Sequence, residues 1–565
     1  MRKWKRHVSE FLVLAMLLSQ LPLSSNAAEA VDQETESQRT QGRQVTAEEI
    51  EGVSLIDNEA ISRDEMTQPL YEEDEMVTAI VEMDGPSVMD YYGTGVYSIA
   101  NPEQPAGQAV ADYLASADVK AASDEILAGQ ESVLSNISAL VQSGVSTYSV
   151  NSEGASATSG VEVLDRWSTL LNAAAIRVPY GMLDEIRQMN GVKRAYVEHV
   201  YDYPEPAAVE EGKENYTYSL DMVNLWDAWQ DGYTGKGMLV AVLDTGLDIQ
   251  MGYDTEITQV HEAFDDDSFK SGDPDDAENG WELRYTDESL AEFLENTQLA
   301  STTGADGDKI VWDGNALYKN RKVPYACDYG DGDLHVYPVS DHGTHVAGTV
   351  AGYAETTEGE VRFSGVAPDA QILAMKVFSD QSEGAMESSI INALEDSLKL
   401  GADVINLSLG SDNGFAEDDT AQNEVYDRIE KAGIVLMTSA GNSAYSSTNN
   451  NYGGLNLTSN PDTAMMSSPA IYDSNLSIAS IDNSIQSQSY MTWTDAEGEV
   501  HNVFFTDPYS VAMKSGFSDK EYPVYAVGGY GSWEDYNAAG FNNGYNGGKT
   551  GIALVKRGGD ISFVD

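Results

Sequence analysis

Asp341-His342-Gly343-Thr344-His345-Val346-Ala347-Gly348-Thr349-Val350-Ala351-Gly352 places two histidines among glycines and other small residues at the start of an apolar helical run. Bulky side chains are missing, as they must be where a helix meets another backbone closely. A histidine at such a helix start, with Gly343 beside it, is placed as a chemical tool. The flanking sequence decides what it works with. Upstream, Gly232 to Gly237 forms a turn, and Met238 to Leu243 is a short continuous apolar run, the pattern of a strand buried on both faces. It ends at Asp244-Thr245-Gly246. Downstream, Gln371 to Phe378 reads as a strand. Glu387 to Lys399 reads as a helix with Ile390, Ile391, Leu394 and Leu398 on one face and Gly401 as its cap. Ala402 to Leu409 is a strand, Val425 to Lys431 lies in a helix, and Ile434 to Ser439 is a further strand. This alternation predicts an α/β fold, a mostly parallel sheet with helices on both faces. Functional groups in such sheets gather beyond the carboxyl ends of the strands, where Asp244 and Asn442 fall. The long acidic insertion from Asp244 to about residue 335 reads mostly as solvated surface.

The chain has 565 residues, too many for one compact core. Asp and Glu number 93 against 31 Lys and Arg, a formal net charge of −62 that repels nucleic acid and excludes it as a partner. Arg2, Lys3, Lys5 and Arg6 precede a mostly apolar Phe11 to Leu23, with small residues at Ser25 to Ala30. That is a secretory signal over residues 1–27, its apolar run shorter than the ~20 residues a spanning helix needs. No other stretch is apolar enough to span, so no transmembrane segment is expected after signal cleavage. One cysteine, Cys327, rules out an internal disulfide and fits a bacterial-type exported protein, secreted or held at the cell envelope. Residues 28–75 read as an acidic flexible leader. A small α+β segment follows over 76–204, with strands at Val77 to Met83, Ala175 to Pro179 and Val192 to Glu198, and helical stretches around 105 to 142 and at Met182 to Met189.

The HGTHVAG run resembles the histidine motif of the subtilisin-like serine proteases (subtilases), and Asp244-Thr245-Gly246 before it and Ser439-Ala440-Gly441-Asn442-Ser443 after it keep the family's order. The resemblance implies a serine endopeptidase acting on protein or peptide substrates, in which Asp244 orients the imidazole, His342 is the general base and Asn442 donates to the oxyanion. Ser408-Leu409-Gly410 resembles the segment that pairs with substrate backbone and lines the specificity pocket. His345 reads as structural support, and Gly365-Val366-Ala367-Pro368 as a structural landmark. The resemblance further implies that 76–204 is a propeptide, the enzyme's own intramolecular inhibitor, and that 205–495 is the first part of the peptidase domain. The long insertion and the wording of Gly232 to Gly237 look most like the lactocepin-type cell-envelope proteinases. Residues 496–565, with Tyr522 to Val527 and Thr550 to Gly559, then resemble the start of a β-rich protease-associated insert.

The pattern breaks in two places. No Gly-Thr-Ser, the family's nucleophile motif, occurs anywhere in the chain, so the serine is expected beyond residue 565 and these residues alone are expected to be inactive. Glu355 to Arg362 does not match the family's calcium loop; no cofactor is required by the chemistry, no metal ligand is assigned, and calcium as a stabiliser has no identifiable site. The alternative is a non-catalytic peptide-binding pseudoprotease. An aspartic protease would need a second Asp-Thr/Ser-Gly, which is absent, and a calcium-binding adhesion module would leave the order of the motifs unexplained.

Overall fold

The computed structural model describes residues 71–92, 104–144, 161–201, 203, 220, 222–249, 260–274, 281–303, 310, 312, 316–338, 340–357, 359–382, 384–411, 421–442, 466–481, 490–494, 500–504, 524–527, 533–538 and 552–554. The signal segment and nearly all of the acidic leader lie outside them. Among the described residues no helix is long and apolar enough to cross a membrane.

Pro69–Ala207 and Tyr216–Ser484 form one compact unit. Its N-terminal part is an antiparallel sheet of β1 (Met76–Met83), β2 (Glu162–Trp167), β3 (Ala173–Pro179) and β4 (Val192–Val197), in the order β2-β3-β1-β4. Two helices, α1 (Ala106–Ala115) and α2 (Ala117–Gly144), lie between β1 and β2 in sequence, a short α3 (Leu183–Arg187) lies between β3 and β4, and β5 (Val200–Tyr201) follows. After α4 (Leu225–Gln230) comes the principal sheet, six parallel strands in the order β14-β13-β12-β6-β10-β7. They are β6 (Leu239–Asp244), β7 (Tyr325–Asp328), β10 (Gln371–Lys376), β12 (Val404–Leu407), β13 (Val435–Ser439) and β14 (Leu476–Ile478).

The continuous apolar run of β6 is explained by its two faces. Leu239, Ala241 and Leu243 share a core with Ile390, Leu394 and Ile429, which lie on α7 (Glu387–Leu400) and α8 (Gln422–Lys431). Val240 and Val242 pack with Ala347 and Ala351 of α6 (His342–Ala351) on the other side. Side chains alternate along a strand, so a strand covered by helices on both faces needs apolar residues at every position. Gly401 ends α7 at φ +79°, the left-handed cap only glycine adopts without strain.

One expectation needs correction. The acidic insertion is not only surface: β7 forms an edge of the main sheet with all four residues buried, and Leu290 of α5 (Asp287–Asn296), Leu299 and Leu317 enter the core. Its apolar anchors are sparse among the carboxylates, and composition averages them away. Helix α7 buries polar residues as well as its apolar face. Glu387, Ser388, Ser389, Glu395, Asp396 and Ser397 are buried with its apolar face, because the N-terminal part of the unit meets Glu387, Ser388 and Glu395 and the insertion meets Asp396, which accepts from Ala300 N–H, Ser301 N–H and Tyr329 OH.

That docking is polar and specific. Glu395 Oε1 accepts the backbone N–H groups of Thr169 (3.0 Å) and Leu170 (2.8 Å). Arg428 donates to Asp90 Oδ1 at 2.9 Å, Asp90 Oδ2 at 3.0 Å and Leu170 O at 2.7 Å. Trp167 Nε1 donates to Asn392 Oδ1 at 2.7 Å. At the far end of α7, Gly107 of α1 lies so close that a Cβ there would stand 2.2 Å from Gly401 O.

Ile485–Asp565 falls in a second unit. Its described strands are an antiparallel pair, β15 (Tyr490–Thr494) and β16 (Val500–Phe504), and a parallel pair, β17 (Val524–Ala526) and β18 (Ile552–Leu554); α9 (Trp533–Ala538) lies between the last two in sequence. The two segments that resemble the start of the protease-associated insert contain β17 and β18.

Candidate active site

Asp244 is the last residue of β6, and the strand end is locked by the residues that follow it. Thr245 N–H donates to Asp244 Oδ1 at 2.7 Å. Thr245 Oγ1 accepts from Gly343 N–H at 2.9 Å and donates to Ser340 O at 2.9 Å, tying the loop after β6 to the first turn of α6. At the next residue, Thr344 Oγ1 accepts from Asp248 N–H at 3.0 Å. Glycine is required at the crossing, since a Cβ on Gly343 would lie 2.2 Å from Gly246 O and 3.1 Å from Asp244 Oδ1. Gly246 has φ +117°, and a Cβ there would meet Val336 O at 2.5 Å. These contacts account for the small-residue signature of both motifs.

They also deliver the imidazole. His342 Nδ1 lies 2.7 Å from Asp244 Oδ1. The carboxylate can only accept, so Nδ1 carries the proton and Nε2 is left with its lone pair, the tautomer a general base needs. Asp244 is 1% exposed, and its Oδ2 has no hydrogen-bond partner among the described residues. Burial pushes the His342 pKa down, but the Asp244 hydrogen bond and charge, with the charge of Asp341, outweigh it and hold the imidazole above its ordinary value. His345 is exposed. Its backbone carbonyl accepts from Thr349 Oγ1 at 3.0 Å.

The parallel register carries the other expected residues to the same edge. Leu407 at the end of β12 pairs with Leu243 of β6, and Thr438 of β13 pairs with Leu407. Ser408-Leu409-Gly410 and Gly441-Asn442 therefore emerge beside Asp244. Ser408 and Gly410 are half-buried, while Leu409 is a core residue. A Cβ on Gly410 would lie 2.6 Å from Ser468 O, and Ser411 pairs with Ser468, so this segment is braced from one side. Gly441, at φ +90°, makes the turn that leaves Asn442 exposed. Sequence reading missed Thr245 and Ser340, which act through backbone groups of the other motif and have no signature at a distance of about a hundred residues.

Gly365 also has a packing reason: its Cβ would lie 2.4 Å from Gly348 O, where the loop crosses α6. Glu355 to Arg362 lies in and between the paired strands β8 (Tyr353–Glu355) and β9 (Val361–Ser364). Among the described residues, Asp328, Asp331 and Asp380 bring carboxylate oxygens within 4.8 Å of one another. Lys376 Nζ already serves this cluster, 2.8 Å from Asp328 Oδ2 and 2.6 Å from Asp380 Oδ2.

The family model described as the subtilase family, Peptidase_S8, matches residues 235–545, more than half of the chain. The PI-type proteinase of Lactococcus lactis subsp. cremoris is 27% identical over 490 residues, which is 84% of this chain and 22% of that protein. The C5a peptidase of Streptococcus pyogenes is 29% identical over 343 residues, 59% of this chain and 24% of that protein. The chain thus spans under a quarter of the length of these relatives. Among solved structures, an epidermin leader peptide processing serine protease from Staphylococcus aureus is similar at a TM-score of 0.34 and 15% identity, over 57% of this chain and 65% of that one.

Proposed function

This chain belongs to the subtilase family, and on that premise we propose that it carries the aspartate and histidine of an exported serine endopeptidase. The observation that carries the reading is the 2.7 Å contact between a buried Asp244 and His342 Nδ1 at the carboxyl edge of a parallel sheet. Asp244 holds the imidazole in its Nδ1–H tautomer and stabilises the imidazolium that forms. His342 Nε2 takes the proton of a serine hydroxyl as that oxygen attacks the peptide carbonyl, then returns it to the leaving amine. The Asn442 side-chain amide donates to the tetrahedral oxyanion, a contribution of ~10²–10³ in turnover. The half-buried backbone at Ser408 and Gly410 aligns the substrate chain beside it. The serine would come from sequence following residue 565, in keeping with the length of the relatives. Residues 76–204 would act as the inhibitory propeptide, which the polar docking on α7 and α8 and the pairing of β5 with the edge strand Ala385–Met386 support. Export rests on the basic and apolar start of the sequence.

The experiment is to express the chain with its in-frame continuation and follow hydrolysis of an unstructured protein such as casein. Activity is expected, and His342→Ala should lower turnover by roughly 10⁴–10⁶. Full hydrolysis by the His342→Ala protein would sink the assignment. Peptide binding without hydrolysis would favour the pseudoprotease.

A further inference from the structure

The surface where α7 meets the N-terminal sheet carries acids on both sides. Glu387 follows directly on the short strand β11 (Ala385–Met386), opens the helix and is 1% exposed. Its Oε1 accepts Tyr196 OH at 2.8 Å and its Oε2 accepts His199 N–H at 3.1 Å. One residue on, Ser388 donates to Glu198 Oε2 from its hydroxyl at 2.7 Å and its N–H at 3.3 Å. Further along the helix, Asn392 Nδ2 donates to Asp165 Oδ1 at 2.8 Å, and Glu395 Oε1 accepts the Thr169 and Leu170 amides. Two of these acids belong to α7 and two to the N-terminal part, so docking closes four carboxyl groups into one interface.

Positive charge is scarce there. Among the described residues the ion pairs of these four acids are the half-exposed His199, whose Nδ1 lies 3.7 Å from Glu387 Oε2, and Lys399, 3.7 Å from Glu395 Oε2. From α8, Gln422 reaches Glu387 with its uncharged side chain, and from β5 Tyr201 OH donates to the same Gln422 at 2.9 Å. Docking therefore strips water from the acids and supplies few cations. Burial, helped by the charge of Glu198, pushes Glu387 up to about 7 against the hydrogen bonds from His199, Tyr196 and Gln422. Burial raises Glu395 and Asp165 as well. The contacts also say which atom holds a proton. Oε2 must accept the His199 amide, whereas the Tyr196 hydroxyl oxygen is already an acceptor for Ala421 N–H at 3.3 Å and can accept from Oε1 too.

We propose that Glu387 is a proton-operated latch on the N-terminal sheet: with Oε1 protonated the interface stays closed, and with the carboxylate ionised the sheet leaves α7, so that acid retains the segment and neutral to alkaline conditions release it. The sign follows from proton linkage. An acid raised by docking favours the docked state below its ordinary value of 4.5, and that advantage is lost as pH rises through about 7. That release would uncover the His342 site rests on the peptidase reading; the pH dependence of docking does not.

The test uses the full chain with a protease site between Tyr203 and Met222, held on a sensor surface by a tag at its N-terminus. After cutting, the rate at which the C-terminal part leaves is followed from pH 5 to pH 8. It should rise at least about tenfold, out of the roughly 70-fold that one proton shifted this far allows. Glu387→Gln, which offers an NH₂ to Tyr196 and an acceptor to His199, should hold the rise to about threefold or less. His199→Gln should keep most of it, which separates a carboxyl latch from an imidazole one. A parent rate that stays level or falls, a Glu387→Gln chain with the parent's full rise, or a His199→Gln chain without one overturns the proposal. If Glu387→Gln does not unfold cooperatively, Glu198→Gln decides: removing that charge should move the profile to lower pH, and an unmoved profile overturns the latch. If the cut parts stay together at every pH, the urea midpoint of the uncut chain replaces the rate. A fall from pH 5 to pH 8 that Glu387→Gln removes supports the latch, and a level midpoint overturns it. No hydrolysis is measured, so failure of the peptidase reading leaves these outcomes unchanged.

Discussion

At the residue scale, the contact between His342 and Asp244 makes a prediction about protons. With its pKa raised chiefly against burial by Asp244, His342 should titrate above ~6.5 in a histidine-resolved NMR titration. Asp244→Asn should move the midpoint down. The sign for stability follows: the imidazolium contact contributes fully below the unfolded pKa and is lost as pH rises through the folded one. Catalysis needs the neutral imidazole and runs the other way, rising over that same interval. A titration of His342 unaffected by Asp244→Asn would contradict the pairing. Two neighbours should separate placement from chemistry. Gly343→Ala forces a Cβ into Gly246 O and should cost about 1–3 kcal/mol in urea unfolding, with loss of the His342–Asp244 contact. Exposed His345→Ala should fall within ~0.5 kcal/mol of the parent.

At the element scale, helix α7 is the hub. Its apolar face packs on β6, and its polar face is read by the N-terminal sheet. Glu395→Ala would leave the amides of Thr169 and Leu170 without their acceptor. Each unmade buried hydrogen bond costs about 1–3 kcal/mol, so stability to urea should fall by at least that much, while Glu395→Gln, which keeps an acceptor oxygen, should recover part of it. An unchanged midpoint for Glu395→Ala would mean that the docking is held by apolar contacts alone. The helix itself was legible in sequence, down to its glycine cap, because period and cap are local. Its second buried face was not, because Glu387, Glu395 and Asp396 look like a solvated face until another layer supplies their donors.

At the scale of the whole unit, the N-terminal sheet and the main sheet share one core: Val88, Val110, Tyr113 and Leu170 pack in the same cluster as Leu398, Leu400 and Ile429. A protease site placed between Tyr203 and Met222 should therefore give two fragments that still elute together on gel filtration, and Arg428→Ala, which removes the Asp90 and Leu170 contacts, should speed their separation. Fragments that part immediately after cleavage would show that the covalent link holds them. The parallel α/β order and the positions of Asp244, His342 and Asn442 at strand and helix ends were determined by the sequence itself, since buried strands, helix periods and glycine crossings each leave a mark within a few residues. The tertiary structure alone decided that β7 emerges from an acidic insertion to edge the sheet, that Thr245 and Ser340 lock the two motifs together, and that Tyr201 enters a pocket capped by Gln422. Each of these depends on groups far apart in sequence meeting at hydrogen-bond distance, and a residue carries no local sign of the partner it will find there.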